Sequence, residues 1–323
     1  MEKEVLRLLR DKPDQYLSGQ AMARKLNVSR AAVWKAVESL RSKGFRIASS
    51  ANRGYKLESG PKHIEGVDIE VGLPSRIIGR SVVSFDSLPS TIDKAVELAQ
   101  EGAPEGTVVV ADAQTGGRGR LGRRWSSPPG VGIWTSIILR PSIPPREAPK
   151  LTLLIAVGVA RTLTHSYGIS ARIKWPNDVI VDGKKICGVL TELLAEQDAV
   201  RYIIASFGLN VNQTRSQFAP DILSVATSMR IESGRTLDRP QVFRDILREL
   251  DELYVNFGRH GSGNIIEQWR EMSCTLGKHV KVQLRERSLA GVARDIDADG
   301  SLILELGDGS RLSVAYGDVT ILR

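Results

Sequence analysis

Between Gln114 and Trp125 the chain reads Q-T-G-G-R-G-R-L-G-R-R-W, a run that has to be a loop. Gly116, Gly117, Gly119 and Gly122 allow the backbone φ > 0 and can turn successive N–H groups toward one point, an anion-binding nest. Arg118, Arg120, Arg123 and Arg124 add planar, permanently charged forks that match phosphate or carboxylate oxygens. Trp125 offers a face for a flat base. Unliganded, the arginines repel one another, so the loop suits ordering over a charged, nucleotide-like ligand. A solvated basic turn with affinity for nucleic acid is the other reading, and this stretch alone leaves both open.

The remaining composition narrows the setting. A chain of 323 residues has room for two or three domains with a well-buried core, and 41% hydrophobic with 25% charged residues is ordinary for a globular protein. The two cysteines, Cys187 and Cys274, have no metal spacing and form no disulfide framework, which suits a reducing, cytoplasmic setting. The N-terminus is too charged for a signal peptide, and no apolar run approaches the roughly 20 residues of a membrane span. Net charge is +8, and residues 1–60 hold most of it, with 13 Lys/Arg against 6 Asp/Glu. That concentration points to nucleic acid as a partner of the N-terminus.

The N-terminal pattern agrees. Val5, Leu6, Leu8 and Leu9 mark a helix ended by Pro13, and Ser18 reads as the N-cap of Gly19–Leu26 with Ala21, Met22 and Leu26 inward. Ser29 caps Arg30–Lys43, with Ala32, Val33, Val37 and Leu40 as its apolar stripe and Gly44 as its stop. The period then switches to two, and Phe45, Ile47, Tyr55 and Leu57 flank a turn bearing Arg53. Helix-turn-helix plus hairpin is a winged helix-turn-helix. Its expected DNA contacts are Ser18, Ser29, Arg30, Ala31, Trp34, Lys35 and Arg53. A protein-interaction module of three helices is the alternative.

Residues 59–68 read as a linker. A larger α+β domain follows, spanning 61–274, with a mixed or largely antiparallel sheet and its helices grouped on one face. Leu151–Tyr167 is apolar nearly all round and expected to be buried. From residue 275 five short strands with Asp-Gly turns suggest an SH3-like β-barrel over 275–323.

A second polar cluster, Lys174-Trp175-Pro176-Asn177-Asp178, follows a strand and precedes a hairpin containing Lys184-Lys185-Ile186-Cys187-Gly188. Ser90-Thr91, the Gly/Arg loop with Trp125, these two motifs and F-G-L-N-V-N at 207–212 occur in that order. The order resembles that of the biotin protein ligases. With the helix-turn-helix added, the whole chain is similar to their bifunctional kind, the biotin operon repressors.

That resemblance implies ATP-dependent activation of biotin to biotinyl-5′-adenylate, then transfer to a lysine of a biotin carboxyl carrier protein. It implies biotin contacts from Ser90, Thr91, Gln114, Gly117, Arg118, Gly119, Arg120 and Lys185, and nucleotide contacts from Arg120, Arg123, Trp125, Lys174, Asn177 and Asn210. Lys185, Arg118 and Asp178 are the implied catalytic residues, with Asp178 orienting the acceptor lysine. Mg²⁺ would arrive with ATP, no protein metal site is expected, and operator DNA would be bound by a homodimer formed with adenylate. Ile92 departs from the polar residue frequent in the family, which removes a side-chain contact there. Cys187 reads as a small buried hydrophobe, and His63, His165, His260 and His279 lie outside every motif. A ligand-sensing repressor without ligase activity and a lipoate or octanoyl transferase are the competing classes.

Overall fold

A computed structural model describes residues 1–196, 199–284 and 287–322. Helices α1 (Glu2–Arg10), α2 (Gly19–Leu26) and α3 (Arg30–Ser42) precede the hairpin β1 (Arg46–Ser50) and β2 (Gly54–Ser59). Val5, Leu6, Leu9, Met22, Val33, Val37 and Leu40 form a core of their own, with Ala23 rather than the expected Ala21 facing inward. The Ser29 hydroxyl accepts from Ala32 N at 3.1 Å, as a helix cap should, whereas Ser18 occupies the N-cap of α2 without a side-chain cap bond.

Part of the expected linker is helical. In α4 (Gly66–Gly72), Val67 joins the N-terminal core while Ile69 joins the central one. Asp68, buried between them, pairs with Arg10 of α1 and, at 2.7 Å, with Arg244. Two guanidinium partners are what make a buried carboxylate tolerable there.

The central domain comprises β3 (Ser81–Leu88), α5 (Thr91–Gln100), β4 (Thr107–Gln114), β5 (Gly132–Leu139), α6 (Pro149–Tyr167), β6 (Arg172–Lys174), β7 (Asp178–Val181), β8 (Lys184–Glu196), β9 (Ala199–Asn210), α7 (Met229–Ser233), α8 (Arg239–His260) and α9 (Gly263–Met272). Its strands are ordered β3-β4-β5-β9-β8-β7-β6, parallel only between β3 and β4, so the sheet is mixed as expected. The helices are not confined to one face. Val108 and Val110 of β4 pack in the core that holds α6, α8 and α9, whereas Val109 packs with Ile92, Ala95 and Ala99 of α5. Alternate side chains of one strand point to opposite faces, so α5 covers the second face.

After α9 come β10 (His279–Gln283), β11 (Ser288–Ile296), β12 (Leu302–Glu305), β13 (Arg311–Val314) and β14 (Asp318–Ile321). They form an antiparallel sheet in the order β13-β12-β11-β10-β14. The expected closed barrel is not found: among the described residues β13 and β14 remain the two edges. The sheet shares the central core through Val280, Val282, Leu302 and Leu304, and Trp175 Nε1 donates to the Gly300 carbonyl at 3.0 Å.

Candidate functional site

Helix α5 covers only part of its sheet face, and the side chains beyond it shrink. Along β9 the face reads Ile204 under the helix, then Ser206, Gly208 and Asn210. Cross-strand neighbours follow the same gradient: Ser136 pairs with Ser206 and Gly188 with Gly208. A cavity of about 270 Å³ occupies the space thus left. Its floor holds the indole of Trp125, and a Cβ on Gly208 would lie 2.4 Å from Trp125 Nε1, so glycine is required for that close approach.

At the α5 end, Ser90 is the N-cap and its hydroxyl accepts from Ile92 N at 3.2 Å. Thr91 N and Oγ1 both donate to Gln114 Oε1, at 2.9 and 3.1 Å, and Gln114 Nε2 donates to Ser127 Oγ at 2.8 Å. Ser206 and Ser136 extend this chain of hydroxyls to Thr91, each step being 2.9 Å. Thr91 and Gln114 line the cavity beside Ile92.

The Gly/Arg loop lies over the cavity and is closed on itself. Gly119 N donates to Arg123 O at 2.7 Å, Trp125 N to Gly117 O at 2.8 Å, and Gly116 N to Pro89 O at 2.9 Å. The N–H groups of Gly116 and Gly119 are therefore committed to loop carbonyls instead of converging as a nest. Three of its arginines are tied to neighbouring groups. Arg118 reaches Asp93 at 2.6 Å and Glu192 at 3.4 Å, while Arg123 pairs with Asp318 of β14. Arg120 donates to Asn177 Oδ1 at 3.1 Å and to the Gly317 carbonyl at 3.2 Å. Burial pulls the Arg120 guanidinium below its ordinary pKa, with Asp318 and Asp178 partly offsetting it.

On the far wall Lys185 Nζ lies 2.6 Å from Asp178 Oδ1 and 5.3 Å from the Trp125 ring centre, and Lys174 Nζ is 3.9 Å from the other Asp178 oxygen. Asn177 Nδ2 donates to the Val189 carbonyl at 2.6 Å and Asn210 Nδ2 to the Thr227 carbonyl at 3.0 Å. Segment 218–226 closes this side, because Lys185 N donates to Val225 O at 2.7 Å and Thr227 N to Lys185 O at 2.9 Å.

Thr91, Gln114, Arg118, Gly119, Arg120, Arg123, Trp125, Asn177, Asp178, Lys185 and Asn210 thus all line one cavity. Ser90, Gly117 and Lys174 stand just behind its wall: Ser90 caps α5, Gly117 packs on Trp125 and Ser127, and Lys174 backs Asp178. Sequence reasoning missed Ser136, Ser206, Gln213 and Asp318, and gave Gly188 and Gly208, though inside its motifs, no role of their own. Small residues at alternate positions of an otherwise apolar strand, Ser206 and Gly208, were a readable signal for the floor. Nothing local marks Asp318, which meets Arg123 across 195 residues of chain. Cys187 is fully buried and burial pushes its thiol up, so it is inert packing.

In the N-terminal domain Arg30, Ala31, Trp34 and Lys35 form one exposed face of α3, and Trp34 is 53% exposed. Ser29 is exposed at the start of that face. Arg53 at the hairpin tip stacks on Tyr16 at 4.3 Å and donates from Nε to Ser50 Oγ at 3.0 Å.

Comparison with known proteins decides the family. Residues 84–211 match the biotin/lipoate A/B protein ligase family, 2–56 an HTH domain and 275–322 the biotin protein ligase C terminal domain. The chain is 38% identical over 309 residues to the bifunctional ligase/repressor BirA of Bacillus subtilis (strain 168), covering 96% of this chain and 95% of that protein. The chain belongs to the bifunctional biotin ligase/repressor family. Within the wider family it is 32% identical to the biotin–[acetyl-CoA-carboxylase] ligase of Mycobacterium tuberculosis (strain ATCC 25618 / H37Rv), covering 68% of this chain and 80% of that one. A solved structure, the biotin protein ligase from Aquifex aeolicus in complex with biotin and ATP, superposes with a TM-score of 0.65 at 28% identity, covering 76% of this chain and 99% of that one. No helix among the described residues is long and apolar enough to cross a membrane.

Proposed function

We propose that this chain joins biotin to the adenylyl group of ATP, releasing pyrophosphate, and then transfers it to a carrier-protein lysine, and that the adenylate controls its binding to operator DNA. The observation that carries the chemistry is one cavity with a hydroxyl-and-amide end at Thr91 and Gln114, a cationic middle at Lys185, Arg118 and Arg120, and an aromatic face at Trp125. A ureido ring offers N–H donors and a carbonyl to the first end. A carboxylate and an α-phosphate, which repel each other, need the second. A purine suits the third.

In the first step a biotin carboxylate oxygen attacks the α-phosphorus, the bond to the β-phosphate oxygen breaks, and pyrophosphate leaves. Lys185 and Arg120 stabilise the charge that builds on the phosphoryl oxygens. In the second step the acceptor amine attacks the acyl carbon, loses a proton and expels AMP, with Asp178 positioned to orient the amine. Ser90 and Gly117 shape the biotin end. Arg123, Lys174, Asn177 and Asn210 serve the nucleotide end, Arg118 and Gly119 hold the loop, and Mg²⁺ accompanies the triphosphate. No covalent enzyme intermediate is needed.

The exposed face of α3, with Ser29, Arg30, Ala31, Trp34 and Lys35, is the proposed major-groove reader, flanked by Ser18 and by Arg53 of the hairpin. One such module reads few base pairs, so a homodimer formed in the adenylate-bound state is the proposed DNA-binding species. The cytoplasm is the proposed setting. Pyrophosphate release with ATP plus biotin, and not with ATP plus lipoate, is the expected result. Release with lipoate alone would reassign the substrate, and release with neither would leave a sensor.

A further inference from the structure

Helix α4 joins two bodies that a loose tether could have connected. Val67 and Val71, one helical turn apart, pack on the N-terminal core, while Ile69 and Leu73 pack on the central one. Between those faces Asp68 is 3% exposed, and its carboxylate is shared across the boundary. Oδ1 takes Arg10 of α1, whose Nη1 also donates to the Asp68 carbonyl at 3.3 Å, and Oδ2 takes Arg244 of α8 at 2.7 Å. Both arginine side chains cross Gly72, where a Cβ would lie 2.6 Å from Arg244 Cδ and 3.0 Å from Arg10 Nη1.

Two other ion pairs repeat the arrangement. Lys3 of α1 lies 2.6 Å from Glu70, and Lys43 at the end of α3, which also holds Glu2, lies 3.8 Å from Glu65. In all three contacts the cation belongs to the basic N-terminal domain and the carboxylate to α4 or its N-cap. The domain is therefore seated by charge complementarity as well as by apolar packing. The seat grips α1 and the C-terminal end of α3, away from the leading half of α3 where Arg30, Ala31, Trp34 and Lys35 are exposed. A tether alone needs none of this. Buried ion pairs add little net stability over apolar packing, but they demand a narrow geometry, and fixing register is their best-attested use.

We infer that α4 is a rigid joint, pinned at Asp68, that holds the DNA-reading face in one orientation to the ligase domain and so fixes the half-site spacing that a dimer accepts. This rests on the dimeric DNA-binding reading and adds to it residues outside the expected DNA contacts. One extra base pair between half-sites turns the second by about 35° and moves it about 3.4 Å. Reading domains on flexible tethers follow that change, whereas domains fixed to a rigid dimer do not. Arg10 and Arg244 are thus positioning residues for spacing and not for base identity.

The test is selection from random duplexes several helical turns long, using full-length protein with biotin and ATP, followed by sequencing of the bound DNA. The unaltered protein is expected to enrich paired half-sites at one spacing, preferred roughly tenfold or more over spacings one base pair longer or shorter. Arg10→Met keeps the apolar stem and leaves Asp68 paired with Arg244, so no buried charge is stranded. It is expected to enrich the same half-site sequence at several neighbouring spacings, with the preference cut to about threefold or less and pyrophosphate release unchanged. A merely structural role would weaken all binding and leave the spacing profile as it was. Should Arg10→Met fail to fold, Arg244→Met cuts the same carboxylate from the ligase side and decides in the same way. One sharp spacing retained by the folded variant, or several spacings equally enriched by the unaltered protein, would overturn the rigid joint while leaving DNA binding intact. Enrichment of no half-site pairs by the unaltered protein would instead bring down the dimeric DNA-binding reading and this inference with it.

Discussion

Replacing Lys185 with alanine does two things, and the structure separates them. It deletes a cation expected to bridge the biotin carboxylate and the α-phosphate. It also uncovers Asp178, whose Oδ1 is 2.6 Å from Lys185 Nζ, leaving Lys174 at 3.9 Å from the other oxygen and the more distant charge of Arg120. Loss of a preorganised charge contact slows such chemistry by roughly 10²–10³, about 3–4 kcal/mol. An uncovered carboxylate adds repulsion: at a separation of ~5 Å and an effective dielectric of ~20, two unit charges repel by about 3 kcal/mol before Lys174 and solvent reduce it. Lys185→Ala should therefore lose more adenylation rate than a simple cation deletion, and KM for ATP should rise. Adding Asp178→Asn to it should restore roughly tenfold in kcat/KM through tighter ground-state binding, without restoring kcat. Melting temperature should hardly move, since the Lys185 side chain is 34% exposed and fills no core space. Single-turnover adenylate formation by the two variants is the assay. A parental rate for Lys185→Ala would remove this lysine from the chemistry, and equal kcat/KM for the single and double variants would refute the uncovering of Asp178.

The other predictions concern what holds the cavity closed. Arg118→Gly cuts the loop's ties to Asp93 and Glu192, each worth about 0.3–1 kcal/mol as a partly exposed pair, so bound adenylate should dissociate roughly three- to thirtyfold faster. Unchanged retention in a dissociation assay counts against the loop as a cover. Asp318→Ala frees Arg123 from the C-terminal sheet, leaves Arg120 its bond to the Gly317 carbonyl, and should raise susceptibility to trypsin at Arg123 and Arg124, with biotin suppressing the cleavage less than in the unaltered protein. Identical proteolysis of the two proteins would show that the tie does not order the loop. Deleting residues 1–60 should abolish operator binding yet retain ligation, at some loss of melting temperature because Asp68 loses Arg10 and Val67 loses its packing. Ligation lost at temperatures where the truncated chain remains folded would mean that the N-terminal domain contributes to catalysis. Sedimentation of the full chain should show more dimer with biotin plus ATP than without, and equal dimer content would sink the corepressor reading.

Much of this protein could be read from local pattern. Caps, stops and turn residues act within a few positions, so Ser29, Ser90 and the Asp-Gly turns mark their elements in the sequence itself. Alternation of apolar residues likewise located the strands, and the clustering of glycine with arginine identified the loop that covers the site. Tertiary structure decided what depends on partners distant in sequence. Which carboxylates hold Arg118, Arg120 and Arg123, whether Asp93, Glu192 or Asp318, is an electrostatic choice that the sequence does not order in space. The same holds for α4, too short to announce itself, whose Asp68 is set by two arginines 58 and 176 residues away. Closure of the C-terminal sheet was equally beyond periodicity, which counts strands but says nothing of which edges pair. The depth of the cavity came from α5 stopping short over Ser206 and Gly208, because only packing against a real helix shows which part of a sheet face stays uncovered.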